Sequence, residues 1–284
     1  MKSEKKKMSR YFAVIVFAFV FVFFIPSGWS AEERESSGNT LDHRDWHFFA
    51  NISYTSRTLD GSVAETSEIT DDVFGNLYAT DDSMNLGNSD KFMYTLAVQY
   101  KRWNLGLNYT PTSFSGQGYA IVALTGSQAG LSAKTPLNTD IEVDLLLGKL
   151  SYDIIQTKNT KFGVGVGLGR SNIDLNIIPQ VGNSIIYNGD QPFGFLSVYM
   201  ENNYKRFLYG FSVNAISATF SGVEVDYSDY TVNLGYRLSD KIVKWDIVGG
   251  YRLVNFSIDI ETGQTITKAI THLKGPFIGV SVTY

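Results

Sequence analysis

Histidine is the side chain most often used for acid–base work and metal binding near neutral pH, and the chain carries three, His43, His47 and His272. A zinc site would need the fold to gather them, yet the strand pattern described below keeps His43 and His47 at one end of the molecule and His272 at the other. Carboxylates cluster more densely: Asp60, Glu65, Glu68, Asp71, Asp72, Asp81, Asp82 and Asp90 share one segment. They could hold a divalent cation weakly, but their spacing does not match a calcium loop, and a solvated acidic loop is the plainer reading. Gly163, Gly165, Gly167 and Gly169 alternate with Phe162, Val164, Val166 and Leu168. That is a strand with one glycine face; a phosphate-binding loop would need a helix to follow. With no cysteine in 284 residues, thiol catalysis, disulfides and a lipoprotein anchor are all excluded. No catalytic residue, metal ligand or cofactor is expected, and the chain reads as a non-enzyme.

What remains is a set of charged and polar residues on one phase of alternating segments. Lys149, Asp153, Arg237, Lys244, Asp246 and Arg252 are its core, joined by Gln99, Lys101, Asn108 and Asn233. The elements that position them show period-two alternation, the mark of a strand with two unlike faces. Trp103, Leu105, Leu107 and Tyr109 alternate with Asn104, Gly106, Asn108 and Thr110, and Ile278, Val280, Val282 and Tyr284 with Phe277, Gly279, Ser281 and Thr283. Ten strands are expected, near 46–56, 91–101, 103–110, 141–154, 161–172, 193–202, 207–217, 227–237, 242–256 and 270–284. Two are mixed. In 193–202, Phe193, Phe195 and Tyr199 compete with Leu196, Val198 and Met200 for one face. In 141–154, Glu142 and Asp144 share the phase of Leu146, Leu150, Tyr152 and Ile154, which suits a lipid-facing row only if the carboxylates stand above the hydrocarbon.

Short and long connections alternate strictly. The long ones, at 57–90, 111–140, 173–192, 218–226 and 257–269, therefore share one rim. Short periplasmic turns and long outer loops are the asymmetry of an outer-membrane barrel. Pro111, Pro136, Pro179 and Pro192 fall in or beside long loops, while Pro276 sits inside the last strand, where it is tolerated near a strand start or bulge. Trp46, Tyr100, Trp103, Tyr152, Phe162, Phe207, Tyr236, Trp245 and Tyr284 all lie beside a short turn or a terminus, as an interfacial aromatic girdle would.

The terminal run Ile278-Gly279-Val280-Ser281-Val282-Thr283-Tyr284 resembles the C-terminal signature of bacterial outer-membrane β-barrel proteins, although Phe is their commoner last residue. The resemblance covers residues 46–284. It implies an all-β fold, a closed up-and-down antiparallel transmembrane β-barrel of about ten strands, placed in the outer membrane after export. Its partners would be outer-membrane lipid and, through the C-terminal strand 276–284, the barrel assembly machinery. Sheets in hydrocarbon must close, because an open edge leaves backbone groups unpaired. Ten strands enclose little more than their own side chains, so the inward polar set reads as a lumen-plugging network, with a narrow anion-attracting pore as the other possibility. The glycine face clears room for large neighbours or for water.

Function is accordingly expected to be that of a structural barrel or narrow porin-like channel displaying acidic extracellular loops, whose partner the residues do not name. The alternative is an outer-membrane enzyme, a protease or lipid-modifying barrel, with its site at the extracellular rim near His272. Omptin-family proteases carry paired acidic residues and a histidine on that rim. Here His272 alone could serve, beside Thr271, and no omptin motif surrounds it.

Lys2, Lys5, Lys6, Lys7 and Arg10 precede fifteen apolar residues at 11–25, then Pro26, with Gly28 and Ser30 as small residues before a cleavage point. A spanning helix needs about 20 residues, so residues 1–30 read as a secretory signal, followed by a periplasmic segment at 31–45. Its removal takes five of 24 basic and one of 28 acidic residues, leaving 19 against 27 and a net charge of −8. An acidic exported chain is a poor nucleic-acid binder.

Overall fold

The computed structural model describes residues 46–67, 74–80, 84–124, 132–180, 184–220, 223–262 and 265–284. The segments assigned to a signal and a periplasmic arm, His43 among them, lie outside these residues, as do Glu68, Asp71, Asp72, Asp81 and Asp82 of the acidic segment. The strands are β1 (Trp46–Ser67), β2 (Phe74–Thr80), β3 (Ser89–Tyr100), β4 (Trp103–Leu124), β5 (Ser132–Gln156), β6 (Thr160–Pro179), β7 (Ile185–Tyr204), β8 (Phe207–Phe220), β9 (Val223–Asp240), β10 (Lys244–Thr262) and β11 (Thr265–Thr283). All except β2 make one closed antiparallel barrel, each strand hydrogen-bonded to its sequence neighbour in the ring. Closure is β1 against β11, from Phe49↔Thr283 to Ser67↔Thr265. The main chains of Phe48 and Tyr284 exchange both hydrogen bonds at 2.9 Å, tying the last residue into the seam. Strand β2 pairs with β1 and β4 and continues the wall above the short β3.

The wall obeys the solvent on each side. Ile52, Leu96, Leu105, Leu107, Leu150, Val164, Val166, Leu234, Ile247 and Val280 point outward and are exposed. Below them runs the aromatic girdle expected from the sequence. Trp46 meets Tyr100 at 4.5 Å between ring centroids, Trp103 meets Tyr152 at 5.0 Å and Phe207 meets Tyr236 at 5.4 Å. A second, outer belt holds Tyr54 and Phe92, 5.7 Å apart, Tyr94 and Tyr109, 6.5 Å apart, and exposed Tyr251. Rings of this kind favour both membrane interfaces.

Two of the short turns share the pattern Tyr-Lys-Arg-aromatic, Tyr100-Lys101-Arg102-Trp103 and Tyr204-Lys205-Arg206-Phe207. The lysines adopt φ of 53° and 56°, as two-residue hairpins require, and each ammonium lies over the preceding tyrosine ring. Lys101, grouped above with the inward residues, is therefore an exposed turn residue: the two-residue hairpin ends the strand one position earlier.

The strands also run further than expected, and the outer connections are shorter. Strand β1 continues to Ser67, β4 to Leu124, β6 to Pro179 and β10 to Thr262, while β5 starts at Ser132 and β7 at Ile185. Thus 111–140 and 173–192 are mostly hairpin wall. The physical reason is an inversion of the alternation. Above the outer belt the barrel's outside is water, so polar residues face out and apolar ones in, and a pattern sought as apolar-out vanishes. Pro276 lies well inside β11, paired with Tyr251. On its other side the β1–β11 ladder passes from Thr55↔Phe277 to Thr58↔Lys274, skipping the position where proline has no N–H to give.

Candidate functional site

The lumen is filled in two storeys. At the short-turn end Asp153, fully buried on β5, accepts from Gln99 Nε2 of β3 at 3.2 Å, from Asn104 Nδ2 of β4 at 3.1 Å and from the Tyr199 hydroxyl of β7. Lys161 of β6 donates to Gln99 Oε1 at 2.6 Å, and Asn104 Nδ2 also reaches the Tyr199 oxygen at 2.9 Å. Half-buried Lys149 holds its ammonium 4.8 Å from the centre of the Tyr199 ring. On the far side of the ring Arg237 Nε donates to Asp246 Oδ1 at 3.0 Å, and Lys244 is half-buried near that mouth.

The next layer crosses the barrel. Arg252 of β10 donates to Asp229 of β9 through Nε at 2.9 Å and Nη2 at 2.7 Å. Its Nη1 reaches Asn108 Oδ1 at 3.2 Å and Thr110 Oγ1 at 2.8 Å, both on β4. Strands β10 and β4 stand four places apart around the ring by way of β11, β1 and β3, so one guanidinium spans the lumen. Of the residues singled out from sequence, Asp153, Asp246 and Arg252 are buried inside, and Lys149, Arg237 and Lys244 are half-buried. They form three separate clusters. Asp229 and Arg57, missed by the sequence reading, join them, as does Tyr199, whose face on its strand was left open. Asp229 lies in phase with Asn233 and Arg237 on the inward row of β9 and could have been found there.

Toward the outer end the filling turns apolar. Leu59, Phe114, Leu137, Ile141, Val143, Leu145, Leu175, Ile177, Phe193, Phe195, Tyr227, Val254, Phe256 and Leu273 pack as one cluster drawn from eight of the ten barrel strands. Phe193 is its hub, with ring centroids 4.7 Å from Tyr227 and 5.8 Å from Phe256. Met84, between β2 and β3, adds a buried side chain. The glycine face of β6 makes this possible. Gly163, Gly167 and Gly169 pair with Tyr199, Phe195 and Phe193 of β7, and a β-carbon on any of them would overlap the facing ring. The space belongs to large neighbours, and the ambiguous face of β7 resolves with its aromatics inside.

The two histidines among the described residues stay apart. His47 pairs with Gln99 at the short-turn end of β1. His272 is exposed on the outer wall of β11, with Nδ1 2.7 Å from Asn255 Oδ1, and Asn255 Nδ2 donates to Ser228 Oγ at 3.0 Å. Asn255 thus stands between histidine and serine, and Asp60, opposite His272 on β1, is ion-paired with Lys274.

No protein-family model matches the sequence, and neither does any curated protein. Solved structures do share the architecture. The outer membrane protease OmpT from Escherichia coli aligns with a TM-score of 0.52 at 13% identity, over 83% of this chain and 97% of that one. The fold is that of a bacterial outer-membrane β-barrel. The outer membrane protein OprG from Pseudomonas aeruginosa aligns at 10% identity and TM-score 0.37, over 84% of this chain and 95% of that one. The β domain of the Bordetella autotransporter BrkA aligns at 8% and 0.33, over 84% and 98%. The lipid-facing belt between two aromatic girdles is what such a barrel presents to the outer membrane, where this chain resides.

Proposed function

We propose that this outer-membrane barrel is a closed structural scaffold that holds its outer hairpins and their acidic loop at the cell surface, and that it is neither a passive pore nor an enzyme. The observation behind this reading is the crossing of the lumen by Arg252, with the apolar cluster stacked outside it. A porin needs a continuous water path, and both storeys work against one. A rim enzyme at His272 lacks support because its Nδ1 is engaged by Asn255 and its neighbouring serine is held by the same asparagine. A serine nucleophile needs its base within hydrogen-bond reach. In this reading the C-terminal strand, 276–284, is also the part offered to the assembly machinery, and lipid is the remaining partner.

The test is topological. An epitope inserted between β4 and β5, at 125–131, is expected to be labelled by antibody on intact cells while the barrel stays folded. Labelling only after the outer membrane is permeabilised would reverse the orientation and remove the display reading.

A further inference from the structure

Three non-glycine residues among those described have positive φ, and two of them are lysines at the same place in the fold. Asn85 has φ of 50°, Lys101 of 53° and Lys205 of 56°. The left-handed region crowds any residue with a β-carbon, and glycine, asparagine or aspartate usually fills it in hairpins. Closing the turn therefore does not explain lysine, used twice. What the two turns share is the position of the ammonium. Lys101 Nζ lies 5.2 Å from the centre of the Tyr100 ring, and Lys205 Nζ 5.5 Å from that of Tyr204. Both rings belong to the outer wall. Tyr100 continues the exposed row of Tyr94 and Leu96, and Tyr204, 62% exposed, continues that of Leu196. The cations are thus held on the lipid side of the rim, away from the lumen mouth, with exposed Arg102 and Arg206 beside them.

The carboxylates at this end turn the other way. Asp153 and Asp246 are buried in the lumen, and Glu201 acts on Lys149 inside it. Asp240 belongs to the β9–β10 hairpin, with Lys241 and Lys244. Neither Lys101 nor Lys205 forms an ion pair among the described residues. Each turn is therefore two cations flanked by two interfacial rings, Tyr100 and Trp103 in one and Tyr204 and Phe207 in the other. Such rings sit at the depth of lipid headgroups. An ammonium over a ring face keeps its N–H donors for an acceptor, and the fork of a guanidinium matches a phosphate. A zwitterionic headgroup brings its own cation to these charges; an anionic one does not.

We propose that each Tyr-Lys-Arg-aromatic turn binds the headgroup of an anionic glycerophospholipid, of the phosphatidylglycerol class, in the leaflet around it. The inference deepens the lipid contact of the proposed scaffold and rests on the barrel lying in a membrane, not on a closed lumen.

The chain carries its own reporter. Its tryptophans are Trp29, Trp46, Trp103 and Trp245, and Trp103 closes the first turn while Trp46 packs on Tyr100. The full chain with Trp29→Phe and Trp245→Phe is folded into mixed phosphatidylcholine–phosphatidylglycerol vesicles in which one lipid or the other has brominated chains. Bromine quenches tryptophan on contact, so the two quenching curves give the relative association constant. Phosphatidylglycerol should be preferred about fivefold, the gain from one cation near an anionic surface. Lys101→Asn with Arg102→Gln should remove the preference, asparagine being suited to positive φ, and Lys205→Asn with Arg206→Gln should leave it. With Phe207→Trp as reporter, and Trp46→Phe and Trp103→Phe added, the two pairs should exchange roles. Equal quenching by both lipids would overturn the proposal and leave the barrel in its membrane, the cations then facing water or the acidic segment 31–45. Quenching by neither would overturn it together with the membrane reading. A preference that persists in Lys101→Asn with Arg102→Gln would also overturn it. If that variant does not fold, a preference unchanged in about 1 M salt, which screens charges beyond about 3 Å, decides against the site.

Discussion

The membrane-embedded half of the barrel and the half beyond the outer aromatic belt share one hydrogen-bond ladder and opposite chemistry. Strand β5 passes through both. In its lower part Leu146, Leu150, Tyr152 and Ile154 face out and are exposed, while Ser151 and Asp153 are buried inside. In its upper part Leu137, Ile141, Val143 and Leu145 are buried inside, and Asp140 and Glu142 are exposed outside. The side-chain period stays at two throughout; only the solvent outside changes, from lipid to water. The lower half resembles a soluble barrel turned inside out, held within by hydrogen bonds and ion pairs. The upper half is a soluble barrel with an ordinary apolar core. The Arg57–Arg252–Asp229 layer marks the boundary.

The difference can be broken from either side. Asp229→Ala leaves two buried guanidiniums without a carboxylate and should cost about 3–5 kcal/mol. Phe193→Ala should cost a similar ~3–5 kcal/mol by opening the upper core. Urea titration of the refolded protein in detergent measures both. A loss below about 1 kcal/mol for Asp229→Ala, less than a typical buried-pair effect, would show that the boundary layer is not held by its charges.

A charge placed on the outer wall should report which solvent lies there. Val166→Arg, facing lipid, is expected to destabilise by about 2–4 kcal/mol. Ser115→Arg, facing out from the upper half of β4, should stay within about 0.5 kcal/mol of wild type. Equal penalties at the two positions would mean that the membrane extends over both halves. A smaller effect tests the join between β6 and β7. Gly167→Ala should cost about 1–3 kcal/mol by overpacking, and Phe195→Leu in the same chain should relieve part of it. Additive losses in the double variant would show that the ring and the glycine do not share the space.

The lower half was legible in the sequence because lipid outside and polar groups inside give clean alternation, as in Trp103 to Thr110. Barrel closure, the girdle beside the short turns and the inward placement of Asp153, Asp246 and Arg252 rest on that pattern. The upper half was harder to read. Its hydrophobic phase inverts, so residues such as Ile173, Leu175 and Ile177 looked like loop, and the mixed phase of Glu142 and Asp144 was the one visible sign of the change. Arg57 was hidden for a related reason: it sits where β1 leaves the membrane, just inside the stretch read as loop. The aromatic face of β7 could not be chosen from β7 alone. The glycines that admit Phe193, Phe195 and Tyr199 belong to the neighbouring strand, and pairing in register is a tertiary fact.

The central claim is that the two storeys together close the lumen. Single-channel recording in planar lipid bilayers tests it most directly. The refolded wild-type protein should insert without producing discrete conductance steps, and Phe193→Ala should stay silent because Arg252 still crosses the lumen below it. Regular, ohmic steps from the wild type would contradict a closed barrel and restore the porin-like reading.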